Sequence, residues 1–227
     1  MNTNSELFNK NLNTVNKQTR NCLLDVKKHQ YSISNAEQNQ INILLSNLNR
    51  VLLKFERLHS IPWKLFFFKD EFEIENNYPH THCDTILLPY SKFMNLTLHE
   101  KTKLLLHEKI HIYQRMFPIP YNKILIDHYK LTVLMKISDH PDFQNIRQNP
   151  DLNNIIYQTT NKRYNIQIFD KYAKKLSSSS IKRFYENSED PDHPMMKHEH
   201  PNESFAYLIT DKILRKEELP PGVHMFL

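Results

Sequence analysis

One segment constrains the fold more than any other: Thr97 to Arg115 reads as a helix, and its central part as a buried one. Thr97 and Glu100 have the spacing of a capping box, in which a hydroxyl and a carboxylate satisfy each other's backbone N–H groups. Pro118 and Pro120 end the helix, because proline disfavours helix at the residue before it and has no N–H to donate. Between these limits runs Leu104-Leu105-Leu106-His107-Glu108-Lys109-Ile110-His111-Ile112-Tyr113. A helix sets His107 and His111 one turn apart on the same side. Two imidazoles so placed suit a tetrahedral zinc ion, and Glu108 beside them can take a proton from a water the ion activates. The plainer alternative is an amphipathic helix with two half-buried histidines and an exposed glutamate. The mid-helix position of the motif and its apolar neighbours argue against that.

Composition removes several function classes. The chain has a single glycine, Gly222, so glycine-rich phosphate loops, and with them P-loop and dinucleotide-binding folds, are excluded. Turns must rely on Asn, Asp, Ser and Pro. The formal charge is +5 and the pI about 9.0, but the basic residues are spread along the chain, which favours a solvated basic surface over a nucleic-acid site. Two cysteines, Cys22 and Cys83, form no disulfide framework and fit a reducing compartment. The polar start, Met1-Asn2-Thr3-Asn4-Ser5-Glu6, has no signal-peptide core, and no window could span a membrane, so an intracellular protein is expected. The Asn202-Glu203-Ser204 sequon is taken as fortuitous.

The expected organisation is a polar, partly ordered arm over residues 1–34, followed by a single domain over 35–227. Ile41, Leu44, Leu45, Leu48, Val51, Leu52 and Phe55 follow helical spacing, predicting a helix from Asn35 to about Leu58. Aromatic and branched residues then predict strands at Pro62–Phe68, Phe72–Ile74 and Thr85–Pro89, with Pro89 placing the last at a sheet edge. A helix is predicted over Tyr121–Ile137 and a turn at Asn149-Pro150-Asp151. A hairpin is predicted from Ile155–Gln158 and Tyr164–Phe169 around Thr160-Asn161-Lys162. Ser177–Ser180 reads as a short linker, and 190–200 as irregular. A last helix follows from Pro201 to about Lys216, then an extended tail at Leu219–Gly222.

A catalytic zinc takes three protein ligands and leaves one position open. The strongest candidate for the third lies in Asn202-Glu203-Ser204-Phe205-Ala206-Tyr207. On its own Glu203 is also an ordinary acidic residue at a helix N-terminus, favoured by the dipole. His-Glu-x-x-His followed by a distal Asn-Glu-x-x-Ala resembles the gluzincin class of zinc metallopeptidases. That resemblance implies His107, His111 and Glu203 as zinc ligands and Glu108 as general base. It also implies a zincin-like α+β fold, with a small mixed sheet, an edge strand beside the motif helix and a mostly helical remainder. Ala206, one turn after Glu203, would let the two helices approach closely.

The chain departs from the class at three points. Lys109 is a charge between the histidines, and it can face away from the metal. Roughly ninety residues separate His111 from Glu203, against a few dozen in most of the class. Tyr207 stands where thermolysin-like members carry an aspartate that orients a zinc histidine, so it could hydrogen-bond a ligand, stabilise an oxyanion or pack in the core. The metzincin pattern needs Gly and His soon after His111, and Ile112 to Pro118 contains neither. Asp127-His128, His193, His198, His200, the alternating His80 and His82, and Cys83 are further ligand or cleft candidates; a half-buried structural thiol is the simpler role for Cys83.

The expected activity is zinc-dependent peptide hydrolysis, with Glu108 and Tyr207 as catalytic candidates and an extended peptide held against Thr85–Leu88. Composition and layout are similar to metallopeptidase-like proteins of large DNA viruses. Two rivals remain at this point: a DNA-associated protease similar to the SprT-like group, and a zincin-fold structural or interaction protein without turnover, such as a virion component.

Overall fold

The computed structural model describes residues 29–70, 77–147, 149, 151–169, 181–185 and 193–227. Most of the expected N-terminal arm, the expected strand at Phe72–Ile74 and the Ser177–Ser180 run lie outside them. The described chain mixes helices with three small sheets, an α+β architecture.

Helix α1, Asn35–Leu52, starts at a capping box of Ser34 with Glu37 and buries Ile41, Leu44, Leu48 and Leu52 along one face. It stops short of the predicted Leu58. Phe55 leaves the helical region, donates its N–H to Leu52 O at 2.8 Å, and precedes a short helix α2, Glu56–Ser60. Phe55 and Leu58 on either side of this break are both buried in the core.

The first sheet contains β1 (Leu65–Phe68), β2 (His80–His82) and β3 (Thr85–Pro89) in the order β1-β3-β2. β1 runs parallel to β3 with Phe66 opposite Leu87, and β2 runs antiparallel to it with Thr81 opposite Ile86. Thr85–Leu88 is therefore the central strand, contrary to the expected edge position. The continuous apolar run Ile86-Leu87-Leu88, wholly buried, is what a strand covered on both faces needs. Pro89 limits the strand because it caps the next helix, α3 (Tyr90–Met94). The edge strand against the motif helix is β2.

That motif helix, α4, runs Leu98–Met116 with both halves of the Thr97–Glu100 capping box formed. Every residue from Leu105 to Gln114 is buried, so the helix crosses the interior instead of lying on its surface. Pro118 then opens α5, Pro118–Lys123, which widens into a π turn at Ile124–His128. The predicted helix to Ile137 fails here. Lys130 adopts a left-handed conformation (φ 57°), and Thr132–Lys136 forms β4, paired antiparallel with β5 (Ile155–Gln158).

The predicted hairpin is corrected for a related reason. Its turn exists, with Thr159 N–H donating to Arg163 O at 2.9 Å. The flanking strands belong to different sheets, because β6 (Asn165–Phe169) pairs with β7 (Ile181–Tyr185). β5 sits between two apolar clusters, Tyr157 in the main core and Ile156 with Ile137, Ile146 and Ile166 in a second one. Helix α6 covers Pro201–Leu214, and the expected extended tail instead forms a short helix α7, Pro221–His224, with proline at its first position. No described helix is long and apolar enough to cross a membrane.

Candidate metal centre

Helices α4 and α6 pack directly against each other, with Ala206 fully buried. Their contact brings Glu203 to His107 and His111 across a long separation in the chain. One ligand-capable atom from each lies within 4.8 Å of the others. His107 Nε2 is 3.4 Å from Glu203 Oε2, His111 Nε2 is 3.4 Å from Glu203 Oε1, and the two Nε2 atoms are 3.0 Å apart. Bonds of about 2.0–2.1 Å to a tetrahedral zinc put neighbouring donors about 3.3–3.4 Å apart. Each histidine has that spacing to a different oxygen of Glu203, and the His–His separation is slightly tighter. Two imidazole nitrogens and a carboxylate are also a donor set that zinc accepts.

The three groups set one another's charge. Burial opposes the charge on Glu203, yet the two histidines hold its carboxyl well below the usual range. Burial pulls His111 down, but the carboxylates of Glu203, Asp151 and Glu108 outweigh it and raise the ring to about 10. His107 goes the other way: burial lowers it despite its contact with Glu203.

Glu108 lies fully inside the fold, and its Oε2 has no hydrogen-bond partner among the described residues. Burial raises its carboxyl well above the ordinary value, and the nearby Asp151 carboxylate adds to that rise. Asp151 itself is anchored to the edge strand, accepting from Thr81 N–H at 2.7 Å and from the Thr81 hydroxyl. Tyr207 lies on the open side of the site, its ring centroid 4.4 Å from that of His107 and stacked 4.4 Å from His198. It is 40 % exposed, so it does not sit in the core. Burial and the carboxylates of Glu203 and Glu108 keep its hydroxyl protonated to about 12.

A second layer of polar residues ties the ligands down. His111 Nδ1 lies 2.9 Å from Gln114 Oε1, and Gln114 Nε2 donates to Asn202 O at 2.9 Å. Asn202 Oδ1 in turn accepts from Tyr121 OH at 2.9 Å. Asn149 Nδ2 approaches Glu203 Oε1 at 3.5 Å while donating to Glu199 Oε1 at 2.7 Å, and Glu199 is paired with Arg147. Sequence reasoning missed Gln114. Its position three residues after His111, on the same helix face, was the signal that could have found it.

The remaining candidates do other jobs. His200 and His193 are helix N-caps, accepting from Asn202 N and Met195 N, while their other ring nitrogens face Ile155 O and Tyr129 O. His80 is buried on β2 with Nδ1 at Tyr78 O, and His82 is half-buried beside it. Cys83 is exposed in the β2–β3 turn with a left-handed φ of 53°, so it is not a half-buried structural thiol. Asp127 and His128 are exposed on the π turn and outside the cluster. Lys109 does face away from the site. Its ammonium donates to Ile61 O and lies 3.9 Å over the Trp63 ring, and burial lowers it to about 8.

No family model matches the chain, and neither a curated protein nor a solved structure matches it.

Proposed function

We propose that the protein is a zinc-dependent metallopeptidase with a zincin-like, gluzincin-type site. The observation that carries this reading is the convergence of His107, His111 and Glu203 at zinc-donor spacing beside the buried carboxylate of Glu108. Zinc, when bound, supplies Lewis acidity that makes water acidic near neutral pH and polarises a scissile carbonyl.

The chain's own residues do the rest. His107 and His111 offer Nε2, and Glu203 offers a carboxylate oxygen. Glu108, made more basic by burial and by Asp151, takes the proton of the attacking water at its unpartnered Oε2 and returns it to the leaving amine. Tyr207 keeps its proton and can donate to the developing oxyanion from the open side. In this reading an extended peptide lies along the β2 side, the edge of the sheet nearest the motif helix.

The test is hydrolysis of a peptide library by zinc-loaded protein and by Glu108→Gln. The variant is expected to keep stoichiometric zinc and to lose activity by about 10²–10⁴-fold. Undiminished hydrolysis in Glu108→Gln would remove Glu108 as the base. Zinc uptake without hydrolysis by the wild type would instead favour an interaction protein with a catalytically silent site.

A further inference from the structure

We propose that Gln114 is a positioning residue: its amide oxygen accepts from His111 Nδ1 and so holds Nε2 toward Glu203, while its NH2 group fastens the two ligand-bearing helices to each other. The inference rests on the metal-site reading and deepens it. Gln114 is buried, one turn beyond His111 on α4. Its amide has only one orientation that satisfies both neighbours. Asn202 O is a carbonyl and can only accept, so the Gln114 NH2 group must face it, which leaves Oε1 facing His111 Nδ1. An amide oxygen cannot donate, so Nδ1 must hold a hydrogen. The nitrogen left for a metal is Nε2, the atom that faces Glu203.

The same side chain reaches the residue immediately before the third ligand. Asn202 is itself fixed on two further sides, by Tyr121 OH at Oδ1 and by its own N–H donating to His200 Nδ1 at 3.1 Å. An ordered line therefore runs from His111 through Gln114 to the first turn of α6, where Glu203 sits. The arrangement is one-sided: His107 Nδ1 is buried with no partner among the described residues. An amide also suits this place better than a carboxylate. Glu203 and Asp151 already place negative charge at the site, and a glutamate at 114 would set an acceptor against the Asn202 carbonyl.

The test uses the full chain labelled with ¹⁵N and compares wild type, Gln114→Leu and Gln114→Glu. In metal-free wild type the His111 Nδ1 proton should appear as a downfield, slowly exchanging signal. It should be lost in Gln114→Leu, which keeps the volume without the acceptor, and retained in Gln114→Glu, which keeps an acceptor. Zinc affinity, measured by chelator competition, should fall about 10–100-fold in Gln114→Leu and less in Gln114→Glu. A residue that merely fills space would leave the Nδ1 signal unchanged in every variant. An unchanged signal, or zinc affinity in Gln114→Leu within about twofold of wild type, would overturn the proposal. If Gln114→Leu does not fold, loss of the Nδ1 signal in Gln114→Glu would overturn it instead. Failure of the wild type to take up zinc would sink the metal site, whereas the metal-free Nδ1 signal still decides the role of Gln114.

Discussion

His200 shows how closely single residues in this region are committed to one protonation state. Its Nδ1 accepts from Asn202 N–H at the start of α6, and burial lowers the ring to about 4. A neutral ring can cap a helix through a lone pair; a protonated one cannot, because both nitrogens then carry hydrogens. The unfolded chain releases its histidine proton near 6.5 and the folded chain near 4. The unfolded state therefore binds more protons between these values. The stabilisation is fully present above about 6.5 and is lost as pH falls toward 4, by an amount on the order of 3 kcal/mol. Urea unfolding at pH 7, 6 and 5 should show this slope in the wild type. His200→Asn keeps a capping acceptor without a titrating ring, so its pH slope should be shallower by that contribution. Parallel slopes in the two proteins would show that His200 does not titrate this way.

At the scale of elements, the site depends on how near α4 and α6 lie to each other. Ala206 is fully buried where α6 passes the motif helix, one turn after Glu203. Ala206→Leu adds three carbons to a packed contact, which costs about 1–3 kcal/mol when neighbours must shift. The same shift should carry Glu203 away from His107 and His111. Zinc affinity should therefore fall by more than in a comparably destabilised variant such as Leu48→Ala, whose side chain lies on α1. Equal zinc affinities at matched stability would mean that the helix spacing does not control the site.

The motif helix was legible in the sequence because its signals are local: the capping pair Thr97 and Glu100, the His107–His111 spacing, and the stop at Pro118. The place of β3 was not, since a run such as Ile86-Leu87-Leu88 says that a strand is buried but not which strands flank it. Thr132–Lys136 fails to form the expected helix for the same reason. Its strand state depends on a partner at Ile155–Gln158 and on the left-handed turn at Lys130. The residues of the candidate site were legible as types at fixed spacing, and Gln114 stood at a readable spacing from His111, whereas its link to Asn202 and the tie of Asp151 to Thr81 are contacts made only on folding.

For the whole molecule, the proposed zinc site implies a coupling between metal and fold. In the proposed site two donors come from one helix and the third from a distant part of the chain, so zinc binding there would be linked to the assembly of the α4–α6 core. Zinc at about 100 times its Kd should stabilise the chain by about 2.7 kcal/mol if the unfolded state does not bind it. For a protein of this size that corresponds to a rise in Tm of about 5–10 °C, reversible by chelation. Glu203→Ala should blunt the rise. A Tm indifferent to zinc and chelator in the wild type would separate the fold from the metal. The measurement that tests the central claim most directly is zinc X-ray absorption on the purified full chain. The account predicts one zinc per chain, in a shell of nitrogen and oxygen at about 2.0–2.2 Å containing two imidazoles and altered in Glu203→Ala. Absence of stoichiometric zinc, or a shell containing sulfur, would contradict it.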